Sequence, residues 1–451
     1  MQPLTQQQVL ALAPDAASAT AGQGLCALKK WTSVGRSGRA VWGLCQGSGK
    51  DPYQIRVDLT GPAFKCNCPS RKFPCKHGLG LMLLWAKEPS AFKEQDEPGW
   101  VSEWIEGRAE KQEKKVEKAK AVAEKPVDLE AQAKRAAQRD ARVREGVAGC
   151  RLWLDDLLRR GLAAARSGSA LSEMEKTAAR LVDAQAPGLA GYVRRTPELL
   201  VSGDGWEARI LDHLSRLHLL LAAAEQLGSL PPELGTDVRT ALGYTQSKDE
   251  VLAAPGVQDR WCVIAQLIEE EDRLRSRRTW LLGRGTGRRA LVLDFAAGLQ
   301  PLDTSLVAGV EFEGEVGFYP SRLPQRALIK SRDAGASLTQ LPEGAADGSI
   351  EAALSGYAGA LAQQPWMFRW PMVLAGGGLV QHGSRWLIAD SSGAALPISP
   401  AFARTLHLWR LLSATSGRPA LITGEWDGEN FLPLSVITPA GYEDVAPRGA
   451  A

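Results

Sequence analysis

Apolar and polar positions alternate cleanly in YQIRVDL. Tyr53, Ile55, Val57 and Leu59 fall on one face, and Gln54, Arg56 and Asp58 on the other. That two-residue period predicts a half-buried strand. VWGLCQ, residues 41–46, reads as a second strand, and GSGKDP between the two as a turn. Upstream, LTQQQVLALA and PDAASATAG read as short helices, with Pro14 suited to a first helical turn. A hairpin or small sheet thus delivers the chain to Cys66.

The pattern changes after Trp104. EGRAEKQEKKVEKAKAVAEKP has almost no apolar face and reads as either a solvated helix or a disordered linker. A domain boundary is expected there. From Asp128 to about Leu282 helical periodicity dominates: Val143, Val147, Cys150, Leu154 and Leu157 share one face, and Arg209–Leu227 and Trp261–Leu282 read as helices. The last third carries short β-branched or aromatic runs broken by glycines: RALVLDF, VEFEGEVGFY, RALIKS, RWLIAD and PALITGEW. One helix, roughly Phe402–Leu412, interrupts them. RWLIADSSGAALPIS and ITGEWDGENFLPLSV are loosely alike, but no internal repeat is evident. The expected fold is α+β. It comprises an N-terminal domain over 1–104, a charged linker over 105–127, a helical domain over 128–285 and a β-rich domain over 286–451.

Composition is ordinary for a globular chain, with 44% hydrophobic and 23% charged residues in 451. MQPLTQQQVL lacks the charged start and apolar run of a signal peptide. No segment has about 18 uninterrupted apolar residues, so no membrane span is expected. Seven cysteines form no even disulfide framework. These features predict a cytoplasmic protein with reduced thiols. Charge is uneven: residues 1–87 carry eleven Lys and Arg against Asp15, Asp51 and Asp58, a net +8 within a whole-chain charge of +3. A basic N-terminal piece on a mildly acidic body hints at an acidic partner, nucleic acid among the candidates.

FKCNCPSRKFPCKHGLGLMLLW, residues 64–85, concentrates the chemistry. Cys66, Cys68, Cys75 and His77 form C-x-C-x6-C-x-H, four ligands within twelve residues that suit one tetrahedral, structural zinc. In an extended strand, residues two apart point the same way, so Cys66 and Cys68 can share an ion. Within a helix, residues two apart diverge by about 200°. Cys75 and His77 must therefore straddle a helix entrance after Pro74, with GLGLMLLWAK continuing as a mostly buried helix. A β-hairpin–zinc–helix unit is predicted. Lys65, Arg71, Lys72 and Lys76 surround the site. They either neutralise it and favour the thiolates or reach outward as nucleic-acid contacts, with Phe64 and Phe73 stacking on bases.

This segment resembles the SWIM zinc finger, a ββα module, over about residues 50–88. WGLCQGSGKDPYQIRV and TAARLVDAQAPGLAGYVRR are similar, more narrowly, to bacterial SWIM zinc-finger family proteins of about this length. The resemblance implies zinc ligation by Cys66, Cys68, Cys75 and His77 and a role in DNA binding or protein interaction. It also implies an association with MoxR-type AAA+ ATPases and von Willebrand factor A proteins.

Other features read as structural. Cys26, Cys45, Cys150 and Cys262 lie outside the ligand spacing and read as small buried hydrophobes, the last two on helix faces. His213 and His218 are five apart, off the spacing of a helical metal pair. His382 falls in a turn and His407 on the C-terminal helix. GRGTGRRALVLDF precedes a strand, the reverse of a phosphate cradle, and reads as a surface turn. Trp153, Trp206, Trp261 and Trp280 read as inter-helix anchors, and Trp366, Trp370, Trp386 and Trp426 as core or interface. With no catalytic constellation in view, the chain reads as a non-catalytic adaptor for protein partners. The second reading is a nucleic-acid binder acting through its finger.

Overall fold

The computed structural model describes residues 3–47, 49–124, 129–271, 274–298 and 300–447. Pro126, the expected end of the linker, lies outside them. Helices α1 (Gln6–Ala11) and α2 (Ala16–Gln23) lead into strands β1 (Trp31–Arg36), β2 (Ala40–Cys45), β3 (Tyr53–Asp58) and β4 (Ala63–Cys66), then α3 (Lys76–Lys87). Pro14 stands just outside α2, whose N-cap is Asp15, so it is not in the first turn. The four strands form one antiparallel sheet in chain order, larger than the hairpin expected. One face, with Val41, Ile55, Val57 and Phe64, packs on Leu79, Leu81, Met82, Leu83 and Leu84 of α3. The close approach depends on glycines: a Cβ on Gly78 would lie 2.8 Å from Phe64 Cδ1, and one on Gly80 2.6 Å from Leu25 Cβ.

The other face of this sheet is covered too. Helix α4 (Gly99–Glu124) lays Val101 and Ile105 over Ala40 and Trp42. The Arg56 guanidinium stacks 5.2 Å from the Trp100 ring and 5.7 Å from that of Trp104, a cation–π arrangement. The charged tract after Trp104 is therefore helical up to Glu124, in continuity with turns that pack on the N-terminal sheet.

Helices α5 (Leu129–Arg160), α6 (Gly168–Asp183), α7 (Pro187–Leu200), α8 (Trp206–Glu225) and α9 (Pro232–Leu242) enclose a core of Val143, Val147, Cys150, Leu154, Leu181, Val193, Leu214 and Leu217, among others. Helix α10 (Lys248–Ala253) follows, and the helices stop there, not at residue 285. Trp261–Leu282, expected as a helix, is a hairpin of β5 (Val257–Glu271) and β6 (Leu274–Gly283). The reason is burial on both faces. Trp261 and Val263 enter one core while Cys262 and Ile264 enter another. Apolar residues then occupy consecutive positions and no two-residue period survives. Cys262, Trp261 and Trp280 accordingly sit on strands, not helices.

Strands β7 (Arg289–Ala297), β8 (Val310–Phe318), β9 (Arg326–Arg332) and β10 (Ala336–Ser337) complete the next sheet, ordered β10-β8-β5-β6-β7-β9. An additional β8–β9 pairing closes it into a five-stranded barrel. Its only parallel pair among the described strands is β7–β9, at Leu291–Arg326 and Val292–Ala327. A helix not expected from the sequence, α11 (Ile350–Gln363), then interrupts the β region, and the single helix expected over roughly Phe402–Leu412 is two shorter ones.

Strands β11 (Trp370–His382), β12 (Arg385–Ala389) and β13 (Ala395–Pro397) lead to α12 (Pro400–Ala403) and α13 (Leu406–Thr415). Strands β14 (Ala420–Trp426), β15 (Phe431–Thr438) and β16 (Gly441–Asp444) follow, in sheet order β13-β12-β11-β14-β15-β16. A parallel bridge between Ile398 and Phe431 closes this sheet as well. The two barrels share one connectivity. The first three strands form a meander, a crossover follows, the fourth strand pairs with the first, and the fifth closes in parallel beside the third. That is the Greek-key connectivity of OB-type barrels. The first strand of each is long and irregular in register, between Val263 and Ala265 and between Leu374 and Gly377. The internal repeat thus lies in strand order, where the sequence showed none.

The units are joined. Thr423 and Ser435 of the second barrel both bond the Ile264 carbonyl of the first. Arg216 of α8 donates to Met367 O at 3.0 Å, and Trp366 Nε1 donates back to Arg216 O at 3.2 Å. The N-terminal unit sits on the first barrel: Gln8 Nε2 donates to Gly309 O at 2.7 Å, and Thr304 Oγ1 to Pro62 O at 2.7 Å.

Candidate metal centre

The antiparallel register of β3 and β4 pairs Ile55 with Cys66, which places Cys66 at the strand's end. Asn67 extends the pairing with its side chain, whose Oδ1 accepts from Gln54 N at 2.9 Å. This keeps the backbone extended and lets Cys68 return to the face of Cys66. The chain turns through a cis Phe73–Pro74 bond to Cys75. Cys75 is the N-cap of α3, with φ −76° and ψ 164°, and His77 lies in the first turn. As an extended residue outside the helix, Cys75 escapes the divergence that two helical residues would suffer. The predicted helix-entrance geometry is present.

The ligand atoms of Cys66, Cys68, Cys75 and His77 all lie within 4.8 Å of one another. Cys66 Sγ is 3.9 Å from His77 Nδ1. Tetrahedral zinc with Zn–S bonds of about 2.3 Å implies ligand separations of about 3.8 Å, so a contraction of at most about 1 Å would seat the ion. Cys75 and His77 are each 6% exposed, and the Tyr53 ring packs against the imidazole, 4.8 Å between centroids. Three sulfurs and a nitrogen in a shielded site fit zinc and leave no position for a substrate water.

The thiols differ in acidity. Cys75 is held down to about 4, first by the hydrogen bond from Cys66, then by His77 and the Gly78 N–H. Cys66, the donor in that bond and half-buried, is pushed up. Burial also pushes Cys68 up. The first anion thus resides on Cys75 at a helix N-terminus, where partial positive charge favours it. A Zn²⁺ held by Cys66, Cys68, Cys75 and His77 would supply the charge that favours the thiolate form of the other two cysteines.

The four basic candidates are not equivalent. Lys65, Arg71 and Lys76 are exposed. Lys72 Nζ lies 2.7 Å from Asp15 Oδ2. This contact, with the Ser18 N–H, holds the Asp15 carboxylate down to about 2. Phe64 is 6% exposed and packed on α3, so it is not a base-stacking platform. Phe73, 38% exposed, meets the Phe64 ring edge-on at 6.2 Å. Sequence reasoning missed Tyr53 as a wall of the site, Asn67 as the brace of its first loop and Asp15 as a counter-ion. Only Asp15, a helix-capping type ahead of an Ala-rich run, carried a signal.

The remaining candidates are placed elsewhere. His213 is buried, its Nε2 donating to Tyr192 O at 2.9 Å. His218 faces Arg151 at 2.8 Å. His382 ends β11 and His407 lies on α13. The GRGTGRR turn joins β6 to β7, and its Gly285 and Thr286 N–H groups already hold the Asp259 carboxylate at 2.9 and 2.8 Å. All seven cysteines are free thiols. No helix among the described residues is long and apolar enough to cross a membrane.

Comparison with known proteins bears on the middle of the chain. Residues 138–242, within α5 to α9, match the family model of the SWIM-associated four-helix bundle domain. No curated protein and no solved structure matches the chain. A SWIM-associated bundle and a Cys3His cluster in one chain support a SWIM-type zinc-binding protein.

Proposed function

We propose that the chain is a non-catalytic adaptor whose zinc finger is a structural part of a larger docking body. The observation that carries this reading is the finger's seat. Its sheet is covered by α3 on one face and α4 on the other, and Gln8 and Pro62 bond the first barrel. A reader of nucleic acid profits from a free, mobile surface. A module bonded to its own body serves better to hold that body in shape. Four protein ligands fill a tetrahedral shell, which also fits a staple. The partners that the finger's resemblance points to are MoxR-type AAA+ ATPases and von Willebrand factor A proteins. The test is native co-purification of the full-length, zinc-loaded chain with quantitative mass spectrometry. Stoichiometric recovery of either class supports the adaptor. Recovery of nucleic acid without a stoichiometric protein counts against it.

The second reading, nucleic-acid binding by the finger, is kept by Lys65, Arg71 and Lys76, which remain exposed.

A further inference from the structure

The two barrels differ at one matching place. In the first, the crossover between the third and fourth strands includes residues 300–309, and it receives the N-terminal unit: Thr304 bonds Pro62, and the Ala308 and Gly309 carbonyls accept from Gln8 Nε2. In the second, the same crossover is α12 and α13. Helix α13 turns Leu408 and Leu411 into the barrel core, 3% and 0% exposed. Its other face carries Leu406, 78% exposed, and Trp409, 64% exposed. Leu406 is the most exposed large hydrophobic side chain among the described residues, and Trp409 follows closely after Leu152. Leu406 and Trp409 sit three apart, side by side on the helix surface.

Charge singles out the same surface. Between Asp390 and Glu425 the chain has no acidic residue, while Arg404, Arg410 and Arg418 are all exposed. Glu425 is fully buried. A convex helix with two adjacent apolar knobs and a cationic border complements a concave apolar groove with an anionic rim. Trp and Arg are also the residue types that anchor interfaces. An aliphatic knob such as Leu406 offers little to the face of a base, and stacking sites for single strands line grooves with aromatic rings. The finger of a second copy is itself basic and would repel these arginines.

We infer that α13 is a docking helix. It inserts Leu406 and Trp409 into an apolar groove of a partner protein whose rim carries Asp and Glu that meet Arg404 and Arg410. The inference rests on the adaptor reading and gives it a surface and a partner chemistry.

The test places p-benzoylphenylalanine at position 409 of the tagged full-length chain, irradiates cells and maps the crosslinked peptides. Two controls run beside it: Arg404→Glu with Arg410→Glu in the crosslinking chain, and Leu406→Ser with Trp409→Ser in the otherwise unaltered chain. The substituted side chains are exposed, and an unchanged thermal melt verifies folding. The expected result is a crosslink to one protein through a segment bordered by Asp and Glu. It should weaken about tenfold or more on charge reversal, with a matching loss of co-purification in the Leu406→Ser, Trp409→Ser chain. Crosslinks to a second copy, to nucleic acid or to lipid overturn the proposal. So does a stoichiometric partner that co-purifies equally with the Leu406→Ser, Trp409→Ser chain, an outcome that leaves the adaptor reading standing. Neither a crosslink nor a stoichiometric partner defeats both.

Discussion

The indole Nε1 of Trp280 donates a 2.8 Å hydrogen bond to Glu425 Oε1 across the seam between the two barrels. The same carboxylate, fully buried, accepts from Arg278 Nε at 3.0 Å and Nη2 at 2.9 Å. Removing this carboxylate leaves the buried Trp280 indole N–H without an acceptor, while Arg278 keeps Glu269 as a second partner, so the expected cost is about 1–3 kcal/mol. Glu425→Ala should therefore destabilise the chain by about that much, and Glu425→Gln, which keeps an acceptor for Trp280, by less. Urea midpoints with unchanged m-values would check this. Equal, small shifts for both variants would show that the seam does not depend on this carboxylate.

Zinc content follows from the ligand set. The purified chain should hold one Zn²⁺, released by thiol modification and counted by a chromogenic chelator. Structural zinc contributes about 10–16 kcal/mol of apparent binding energy in finger peptides, comparable to or above the total stability of about 5–15 kcal/mol usual for a folded protein. Cys75→Ser or His77→Ala should lose the ion and unfold residues 31–87, seen as lost amide protection. Because the finger bonds the first barrel, protection should also fall around Ala308 and Gly309. Retention of native protection without zinc would refute the staple.

The Cys–His centre was legible because its ligands lie close in sequence, and strand and helix-entrance geometry decides which spacings can converge. Other features left weaker traces or none. The hairpin from Trp261 to Leu282 hid its strand period because both faces are buried. Helix α11 had a readable start, since Ser349 caps Ala352 N and Ile350, Ala353, Tyr357 and Ala360 share a face. Its Ala and Gly content mutes the apolar stripe. The contact from Gln8 to Gly309 spans 301 residues, a distance over which spacing says nothing.

His213 makes stability depend on pH. Burial, the leading cause, lowers its pKa from 6.5 to about 4. The folded chain therefore keeps the imidazole neutral where the unfolded chain protonates it. Below pH 6.5 unfolding takes up a proton, so stability falls as pH falls, by up to about 3 kcal/mol at pH 4. Comparing urea midpoints at pH 7 and 4.5 for the parent and His213→Gln isolates this group, because carboxylate effects are common to both. The parent should lose about 2–3 kcal/mol more than the variant. Equal losses would mean that His213 takes up its proton in the folded chain without penalty.

The last prediction separates the basic residues of the finger. Lys72 is already paired with Asp15, which caps α2 through the Ser18 N–H at 2.7 Å. A phosphate would have to displace a carboxylate that is itself engaged. Lys65, Arg71 and Lys76 are exposed and make no ion pair among the described residues. Each phosphate contact contributes about 0.7–0.9 to the slope of log affinity against log salt. Under the adaptor reading, labelled single- and double-stranded DNA and RNA should show no saturable binding to the zinc-loaded chain at moderate salt. Under the nucleic-acid reading, binding appears with a slope near 2–3, set by the three exposed bases. Lys65→Ala, Arg71→Ala and Lys76→Ala would then each lower that slope, while Lys72→Ala leaves it unchanged. A slope that falls for Lys72→Ala as much as for the others would show that the Asp15 pair opens to admit phosphate. It would make all four bases one surface and return the finger to the role of reader.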